Sequence, residues 1–287
     1  MKGQITIFFL ICRSIFCQAQ DVDQTLLIAN SAFTQEDFLT ASALYERVLF
    51  FDDALENTAA VYEKLADSHF KLTHYSEAYY YYDLAITIEE NAQREVYQNL
   101  IKKADCAIRK NDFFDALAIS FSINAPEQSA VLAKHQIQAL AYYKTGKIQK
   151  SFDLFNALCN GSEACQQQLK NLQAQAEKIN NKSPKKARIL SMIFPGLGFY
   201  YLGEWKKGIN STLLVGGLGT LLIFNSISTG FFNAFFNIMP WYQRYFMGGY
   251  TKAEMLAYQK IENELDSILL SVLELYEQPI ITELRNY

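Results

Sequence analysis

The chain has 287 residues, of which 50% are hydrophobic and 20% charged, and its formal net charge is -4 at pH 7. That length accommodates a soluble domain of roughly 150 residues with a smaller module beside it. An acidic chain without a clustered Lys/Arg face lacks the positive footprint that a phosphate backbone requires, so we expect no nucleic-acid partner.

The N-terminus has the pattern of a secretory signal peptide over residues 1–19. Lys2 is followed by an apolar run over residues 5–12, and a short segment ending at Ala19 precedes polar sequence. We predict cleavage after Ala19. Arg13 is unusual in such a segment, so an uncleaved anchor is the alternative.

Four segments between residues 22 and 160 repeat a pattern of small residues in an aromatic frame. The aligned positions Phe38, Tyr75, Phe113 and Ile148 are 37, 38 and 35 residues apart. Such spacings suit a helical hairpin of about 34 residues with lengthened turns. Each segment also has two small residues that would let paired helices approach closely. These pairs are Ala29 and Ala41, Ala66 and Ala78, Ala104 and Ala116, and Ala139 and Ser151.

This pattern resembles the tetratricopeptide-repeat family over residues 22–160. The resemblance implies an all-α solenoid whose concave face, made by the first helix of each hairpin, binds a peptide or a helix of a partner protein. The candidate groove residues of the second hairpin are Glu63, Asp67, Phe70 and Lys71. Tyr82 ends a run of four tyrosines, and we expect it in the core because consecutive helical residues point in different directions.

A Gln-rich and Ala-rich segment after residue 163 is expected to close the repeat domain, residues 22–179, as a polar cap. At the start of this segment, Cys159 and Cys165 flank a short polar loop, and in an oxidising compartment the two sulfurs could meet. The alternative is two free thiols at a helix end. Cys106 is expected to be a small core residue, and the cysteines have no metal-ligand spacing, so no metal is predicted.

The environment that the sequence predicts changes from water to a lipid bilayer near Ser183. Residues 180–188 indicate a basic linker with a Pro stop, and residues 189–250 carry apolar runs suited to a bilayer. The first run is interrupted by the turn motif, so we expect a broken or re-entrant segment there. The motif consists of Pro195, Gly196 and Gly198.

Residues 208–227 form the clearest span, about 30 Å long as a helix, which matches the hydrocarbon core of a bilayer. Small residues recur every four positions along it and would allow close packing with another membrane helix, including one of a second copy. This small-residue stripe consists of Gly208, Thr212, Gly216 and Thr220. Residues 231–246 are shorter, about 24 Å, and a turn at residues 226–230 would join the two segments as a hairpin.

The Pro-Gly-Leu-Gly turn at residues 195–198 is followed by Tyr201 and Gly203, and later by Trp241-Tyr242 and Gly248-Gly249. These features are similar to a family of small bacterial membrane modules. The resemblance extends from Ser183 to Ala253. It implies a membrane-embedded helical module of a kind often joined to periplasmic repeat domains in Bacteroidetes-like bacteria.

A cleaved signal would place the repeats outside the cytoplasm. Three crossings would then leave Lys206 and Lys207 inside, together with Arg244 and Lys252. The basic cluster at residues 182–188 opposes this topology, because it would lie on the outer side. We favour three crossings. The alternative is a re-entrant first segment with two spans, which puts every basic cluster on one face.

The last segment, residues 251–287, is predicted to contain an amphipathic helix from Lys252 to Tyr276. Its acidic polar face argues against docking on anionic lipid and favours packing on protein. The apolar face consists of Leu265, Ile268, Leu269, Val272, Leu273 and Tyr276.

Catalytic signatures are missing from the sequence. His69, His74 and His135 are the only histidines, and none lies in a His-Glu-x-x-His arrangement. We therefore predict a protein that is not an enzyme and needs no cofactor. It would be a membrane-anchored repeat scaffold that binds a protein or peptide at the bacterial inner membrane, with the repeats in the periplasm. The alternative is a component of a membrane transport or membrane-protein insertion complex.

Overall fold

The computed structural model describes residues 22–51, 57–159 and 161–276. The predicted signal peptide lies outside these residues. The described chain is helical and contains no strand. Its helices are α1 (Val22–Thr34), α2 (Phe38–Phe51), α3 (Thr58–Lys71), α4 (Tyr75–Asn91), α5 (Tyr97–Arg109), α6 (Phe113–Ser122), α7 (Gln128–Lys144), α8 (Ile148–Leu158), α9 (Glu163–Asn180), α10 (Pro184–Ile193), α11 (Leu197–Tyr201), α12 (Trp205–Thr229) and α13 (Phe231–Glu274).

The chain divides into two compact units, one ending at Leu158 and the other beginning at Cys159. In the first unit, α1 to α8 pack as four consecutive helical hairpins, each helix against the next. The packing is repeat-like, as the spacing of the aromatic frame predicts.

The turn inside each hairpin of the first unit has the same backbone geometry. After α3, Thr73 adopts a left-handed φ of 62°, the Leu72 N–H donates to the Ser68 carbonyl at 3.1 Å, and the His74 N–H donates to the His69 carbonyl at 2.9 Å. These bonds satisfy carbonyls that the end of a helix leaves unpaired. The equivalent left-handed residues of the other three turns are Glu36, Asn111 and Gly146. The four turns therefore keep the spacing of the aromatic frame.

Small residues form the contact between the two helices of every hairpin. All eight members of the predicted Ala/Ser pairs are fully buried. At the fourth hairpin, the Ser151 hydroxyl donates to the Ala139 carbonyl at 2.7 Å, across the pair. The predicted close approach of the paired helices is confirmed.

A buried tyrosine links the two helices in each of the first two hairpins. The Tyr45 hydroxyl donates to Asn30 at 2.8 Å, and the Tyr82 hydroxyl donates to Asp67 at 2.7 Å. Both rings are buried, which confirms the predicted core position of Tyr82. The same polar link at equivalent positions shows that the hairpins share side-chain contacts as well as backbone spacing.

The second unit is organised around α13, a single helix of 44 residues that is about 66 Å long. Gly230, with a φ of 94°, connects α12 to α13, and the two helices pack as a hairpin. The sequence predicted separate segments on either side of residue 250, whereas the helix continues through Gly248 and Gly249. At Gly249 a β-carbon would lie 3.2 Å from the Ser211 hydroxyl oxygen, so the glycine allows α12 to approach closely.

The predicted linker, residues 180–188, contributes most of its residues to a helix. Ser183 is the N-cap of α10, with its hydroxyl accepting from the Lys186 N–H at 3.3 Å, and Pro184 occupies the first turn. Proline is favoured there, because its missing N–H would have no partner in the helix. Pro184 therefore starts a helix rather than acting as a stop.

Helix α9, expected as the cap of the repeats, belongs to the second unit and packs against α13. On the apolar face predicted for the C-terminal helix, Ile268, Leu269, Val272 and Leu273 are buried. Lys182 binds Glu264 at 2.8 Å and Arg188 binds Glu254 at 3.1 Å, which holds α10 and the residues before it to the same helix.

Candidate groove and membrane hairpin

The predicted groove residues Glu63 and Asp67 of α3 meet Lys102 of α5, the first helix of the next hairpin. The Lys102 ammonium lies 2.8 Å from a carboxylate oxygen of each residue. The same Asp67 oxygen accepts the Tyr82 hydroxyl. Sequence reasoning missed Lys102, because nothing local marks a residue 35 positions after Asp67 as its partner.

The electrostatics of this cluster keep Lys102 charged and Tyr82 neutral. Burial works to lower the pKa of Lys102, but the carboxylates of Asp67 and Glu63 outweigh it, and the pKa is raised. Burial is also the main cause of the raised pKa of Tyr82, with Asp67 adding to it. Two carboxylates and one ammonium leave a net negative site between consecutive first helices.

Phe70, the third groove residue, belongs to a second cluster. The Arg109 guanidinium of α5 lies 4.7 Å from the centre of its ring, and the Tyr75 ring meets it edge-on at 5.5 Å. Arg109 also pairs with Asp105 at 3.3 Å. Lys71 ends α3 and is exposed to solvent. All three of these residues, Glu63, Asp67 and Phe70, therefore contact α5. Their contacts join the first helices of consecutive hairpins to one another.

Two exposed aromatic residues of the first unit lie on α6 and were not predicted as a site. Phe114 is 71% exposed and Phe121 is 64% exposed. Residues seven apart on a helix share a face, and the intervening Ala116, Leu117 and Ser120 are buried on the other side. The seven-residue spacing was the available sequence signal. Both rings are therefore exposed apolar groups on one face of α6.

In the second unit, the turn motif packs on the first half of the small-residue stripe. The Thr212 hydroxyl lies 2.6 Å from the Pro195 carbonyl and 3.0 Å from the Gly208 carbonyl. Gly196 has a φ of 95°, and a side chain there would overlap Gly208 and Thr212. A side chain at Gly208 would overlap the Tyr200 ring.

Gly198 brings the short helix α11 against α10. Its N–H donates to the Ser191 hydroxyl at 3.0 Å, and a β-carbon there would overlap the Ala187 carbonyl. The second half of the stripe differs. No neighbouring atom lies within 4 Å of a β-carbon built on Gly216, and Thr220 is exposed. Half of the predicted stripe thus packs within the chain and half is open.

Helix α12 carries a large uncovered apolar surface. It is the one helix in the described ranges that is long and apolar enough to cross a membrane, judged by length and composition, and only 6% of its most apolar 18-residue window is buried. Leu213, Ile223, Phe224 and Ile227 are exposed along it. In the first half of α13, Phe232, Phe236 and Trp241 are exposed as well.

The segment expected to make a first crossing does not contain a helix of spanning length. Helix α10 has ten residues and α11 has five, which gives lengths of about 15 Å and about 8 Å. The hydrocarbon core is about 30 Å thick. The predicted break at Pro195 is present, but the structure does not provide the first of the three crossings favoured from the sequence.

Cys159, which precedes α9, forms a disulfide with Cys165 in the first turn of α9. The Cys159 sulfur lies 3.5 Å from the Tyr276 hydroxyl, and burial raises the pKa of Tyr276. Cys106 is a buried free thiol. Burial is the main cause that raises its pKa to about 12, so it carries no thiolate at neutral pH and is chemically quiet.

Within the part of the chain that the structure describes, no group of three or more His, Cys, Asp or Glu side chains could hold a metal ion. No protein-family model matches the chain. Comparison with curated proteins finds no significant relative.

Proposed function

We propose that this protein is a non-catalytic scaffold of the tetratricopeptide-repeat type that binds a protein or peptide partner. The α12–α13 hairpin, which we assign to a membrane module with a Pro-Gly-Leu-Gly turn, anchors it in the bacterial inner membrane. The observation that carries the proposal is the uncovered apolar surface of α12. A repeat-like array that is continuous in sequence with such a hairpin fits a binding surface held at a membrane.

The free energy gained by removing apolar side chains from water favours a bilayer around the hairpin. Each large apolar side chain left in water forgoes roughly 2 kcal/mol of burial free energy, and α12 exposes several of them, including Leu213, Ile223 and Phe224. Helices satisfy nearly all of their own backbone hydrogen bonds, so the hairpin can enter hydrocarbon with few unpaired polar groups, the exception being the carbonyl one turn before Pro240 inside α13. Two crossings, by α12 and by the first part of α13, replace the three favoured from the sequence.

The partner surface is proposed on the first unit. Glu63 and Asp67 retain a net negative charge beside Lys102, and Phe114 and Phe121 present aromatic rings to solvent. Large aromatic side chains dominate the binding energy of protein interfaces. A partner with basic side chains matches the first-helix site at Glu63 and Asp67, and a partner with apolar side chains matches Phe114 and Phe121 on α6, the second helix of the third hairpin.

We place the repeats and the base of the hairpin on the periplasmic side. The Cys159–Cys165 disulfide supports this side, because structural disulfides persist in oxidising compartments and are rare in the cytosol. The basic residues at the base of the hairpin oppose it under the positive-inside rule. Labelling of single cysteines with an impermeant thiol reagent decides between these indications.

Site-specific photo-crosslinking in cells tests the scaffold proposal. A photoreactive residue at Phe114 or at Lys71 should capture one defined protein, whereas the same residue at the exposed Gln167 of α9 should not. Capture at equal yield from all three positions would contradict a specific repeat surface. The crosslinked complex should also survive extraction in mild detergent with a fixed composition.

A second function is favoured by the open half of the small-residue stripe. Gly216 and Thr220 leave room for a further membrane helix, as a component of a transport or membrane-protein insertion complex requires. Ion or solute flux through liposomes that contain only the purified protein would support this function and count against the scaffold.

A further inference from the structure

A cleft lies where α12 begins and α13 runs past it. Its volume is about 800 Å³. Three basic residues line it, Lys207 from α12 and Arg244 and Lys252 from α13, and no Asp or Glu is among its lining residues. Asn210, Ser211 and Gln259 add neutral hydrogen-bonding groups. We call this the basic cleft.

The positive charge of the basic cleft is largely uncompensated by the protein. Lys207 pairs with Glu204 at 3.3 Å, but Glu204 is also 3.6 Å from Lys260. Neither Arg244 nor Lys252 has a carboxylate within ion-pair distance among the residues that the structure describes. Clustered cations attract an anionic ligand, and an arginine guanidinium recognises phosphate through paired N–H groups.

The neighbours of the basic cleft are apolar and aromatic. Leu214, Tyr245 and Met255 also line it, and Trp241 stacks on Tyr245 with ring centres 6.5 Å apart. The exposed apolar surface of α12 begins next to the cleft. Tryptophan and tyrosine are enriched at the level of lipid headgroups, where long basic side chains also reach the interface.

We propose that the basic cleft binds an anionic phospholipid. Its phosphate lies between Lys207, Arg244 and Lys252, and its acyl chains follow the exposed surfaces of α12 and α13. A phosphate-bearing amphiphile satisfies the charge of the cleft and the apolar surface above it together, which a soluble anion cannot do. This inference rests on the proposed membrane function and names the lipid class that the hairpin selects.

Gly248 gives the cleft part of its space. It lines the cleft, and nothing lies within 4 Å of a β-carbon built on it. A leucine at this position would occupy part of the cleft without altering any charge and would also favour the helix. Gly248→Leu therefore separates loss of the binding space from loss of charge.

Quenching of Trp241 by brominated lipid tests the proposal in the full-length protein. The chain has two tryptophans, so Trp205→Phe leaves Trp241 as the only reporter, one turn from Arg244. The protein is reconstituted in phosphatidylcholine bilayers with a minor fraction of phosphatidylglycerol, and either lipid is supplied in brominated form. We expect brominated phosphatidylglycerol to be preferred at least about fivefold, because a single unpaired basic residue near an anionic surface supplies a factor of that size and the cleft has two such residues, Arg244 and Lys252.

The variants decide whether the basic cleft causes the preference. Arg244→Gln with Lys252→Gln should bring the preference close to one, and Gly248→Leu should lower it with the charges intact. Lys206→Gln removes a neighbouring charge outside the cleft and should leave the preference unchanged. A preference that survives the double substitution, or equal quenching by both lipids in the parent, would overturn the proposal.

Two further results separate the possible causes of failure. If the parent shows no preference between the two lipids, yet inorganic phosphate at constant ionic strength raises the thermal midpoint of the parent and not that of the double variant, the cleft serves a soluble phosphate compound and the lipid proposal is wrong. If neither brominated lipid quenches Trp241, the hairpin lies outside the bilayer, and the proposed membrane anchoring fails before lipid selection is reached.

Discussion

The first unit buries all eight small residues of its hairpin contacts, whereas on α12 of the second unit Gly208 is buried and Gly216 is open. In the first unit, close helix pairing is complete within the chain. In the second, it is complete only at the base, where α10 and α11 pack on α13. The difference shows that the same residue type supports a closed array in one unit and leaves a helix surface uncovered in the other.

The largest expected effect sharpens the contrast within the small-residue stripe. Gly208→Leu forces a side chain onto the Tyr200 ring, and such overpacking costs about 3 kcal/mol of unfolding free energy. Gly216→Leu, eight residues further along α12, should leave stability unchanged or raise it slightly. Denaturation in detergent, followed by tryptophan fluorescence, measures both, since both tryptophans lie in the second unit. Equal losses would remove the distinction between the two halves.

The disulfide is the next largest expected effect and belongs to the second unit. Replacing Cys159 and Cys165 by serine should lower the unfolding free energy by about 2 kcal/mol, because a short loop is no longer closed in the unfolded chain. Reduction of the parent protein should reproduce the loss. A Cys106→Ala variant serves as the control and should respond to reductant as the parent does. A thermal midpoint that does not move on reduction would contradict the bond.

In the first unit, the hydrogen bonds of the two equivalent tyrosines test whether the hairpins are repeats of one structure. Tyr82→Phe removes the hydrogen bond to Asp67 and should cost about 1 kcal/mol. Tyr45→Phe, at the equivalent position, should cost a similar amount by losing its bond to Asn30. Tyr80→Phe, at an exposed position, should be close to neutral. Urea titration followed by circular dichroism tests whether the first two variants behave as structural equivalents.

The smallest expected effect is a loss of stability at mildly acidic pH. Burial is the main cause that lowers the pKa of His69 below its ordinary 6.5, against the opposing charge of Glu46. The unfolded chain therefore binds the proton more readily, and stability should fall as the pH drops through the unfolded value. The thermal midpoint of the parent should decrease more between neutral and mildly acidic pH than that of His69→Phe. An identical pH dependence would show that His69 contributes nothing to it.

The features that the sequence predicted correctly depend on local periodicity. The spacing of Phe38, Tyr75, Phe113 and Ile148 predicts four hairpins, and the buried Ala/Ser pairs follow from the same alignment. Pro195 likewise predicts the break between α10 and α11. These signals are readable because a helix fixes which residues share a face and which positions tolerate proline.

The features that were missed depend on long-range contacts or on residues with two uses. Pro184 can stop a helix or occupy its first turn, and only the Ser183 cap bond decides between them. Gly248 and Gly249 suggest a boundary, yet α13 continues through both, and Gly249 is the position at which α12 approaches closely. Lys102 of α5 forms ion pairs with Glu63 and Asp67, and no local sequence pattern predicts that contact.

The central claim, a membrane hairpin with the repeats on the periplasmic side, is tested most directly by labelling single cysteines with an impermeant thiol reagent. The probes are Lys71→Cys in the repeats, Thr229→Cys at the hairpin tip and Glu262→Cys in α13, each in a chain whose five native cysteines are replaced. With the outer membrane permeabilised, Lys71→Cys and Glu262→Cys should react, and Thr229→Cys should react only after the inner membrane is opened. Reaction at Thr229→Cys alone would place the repeats in the cytoplasm, and reaction at all three positions would show that the hairpin does not cross the membrane.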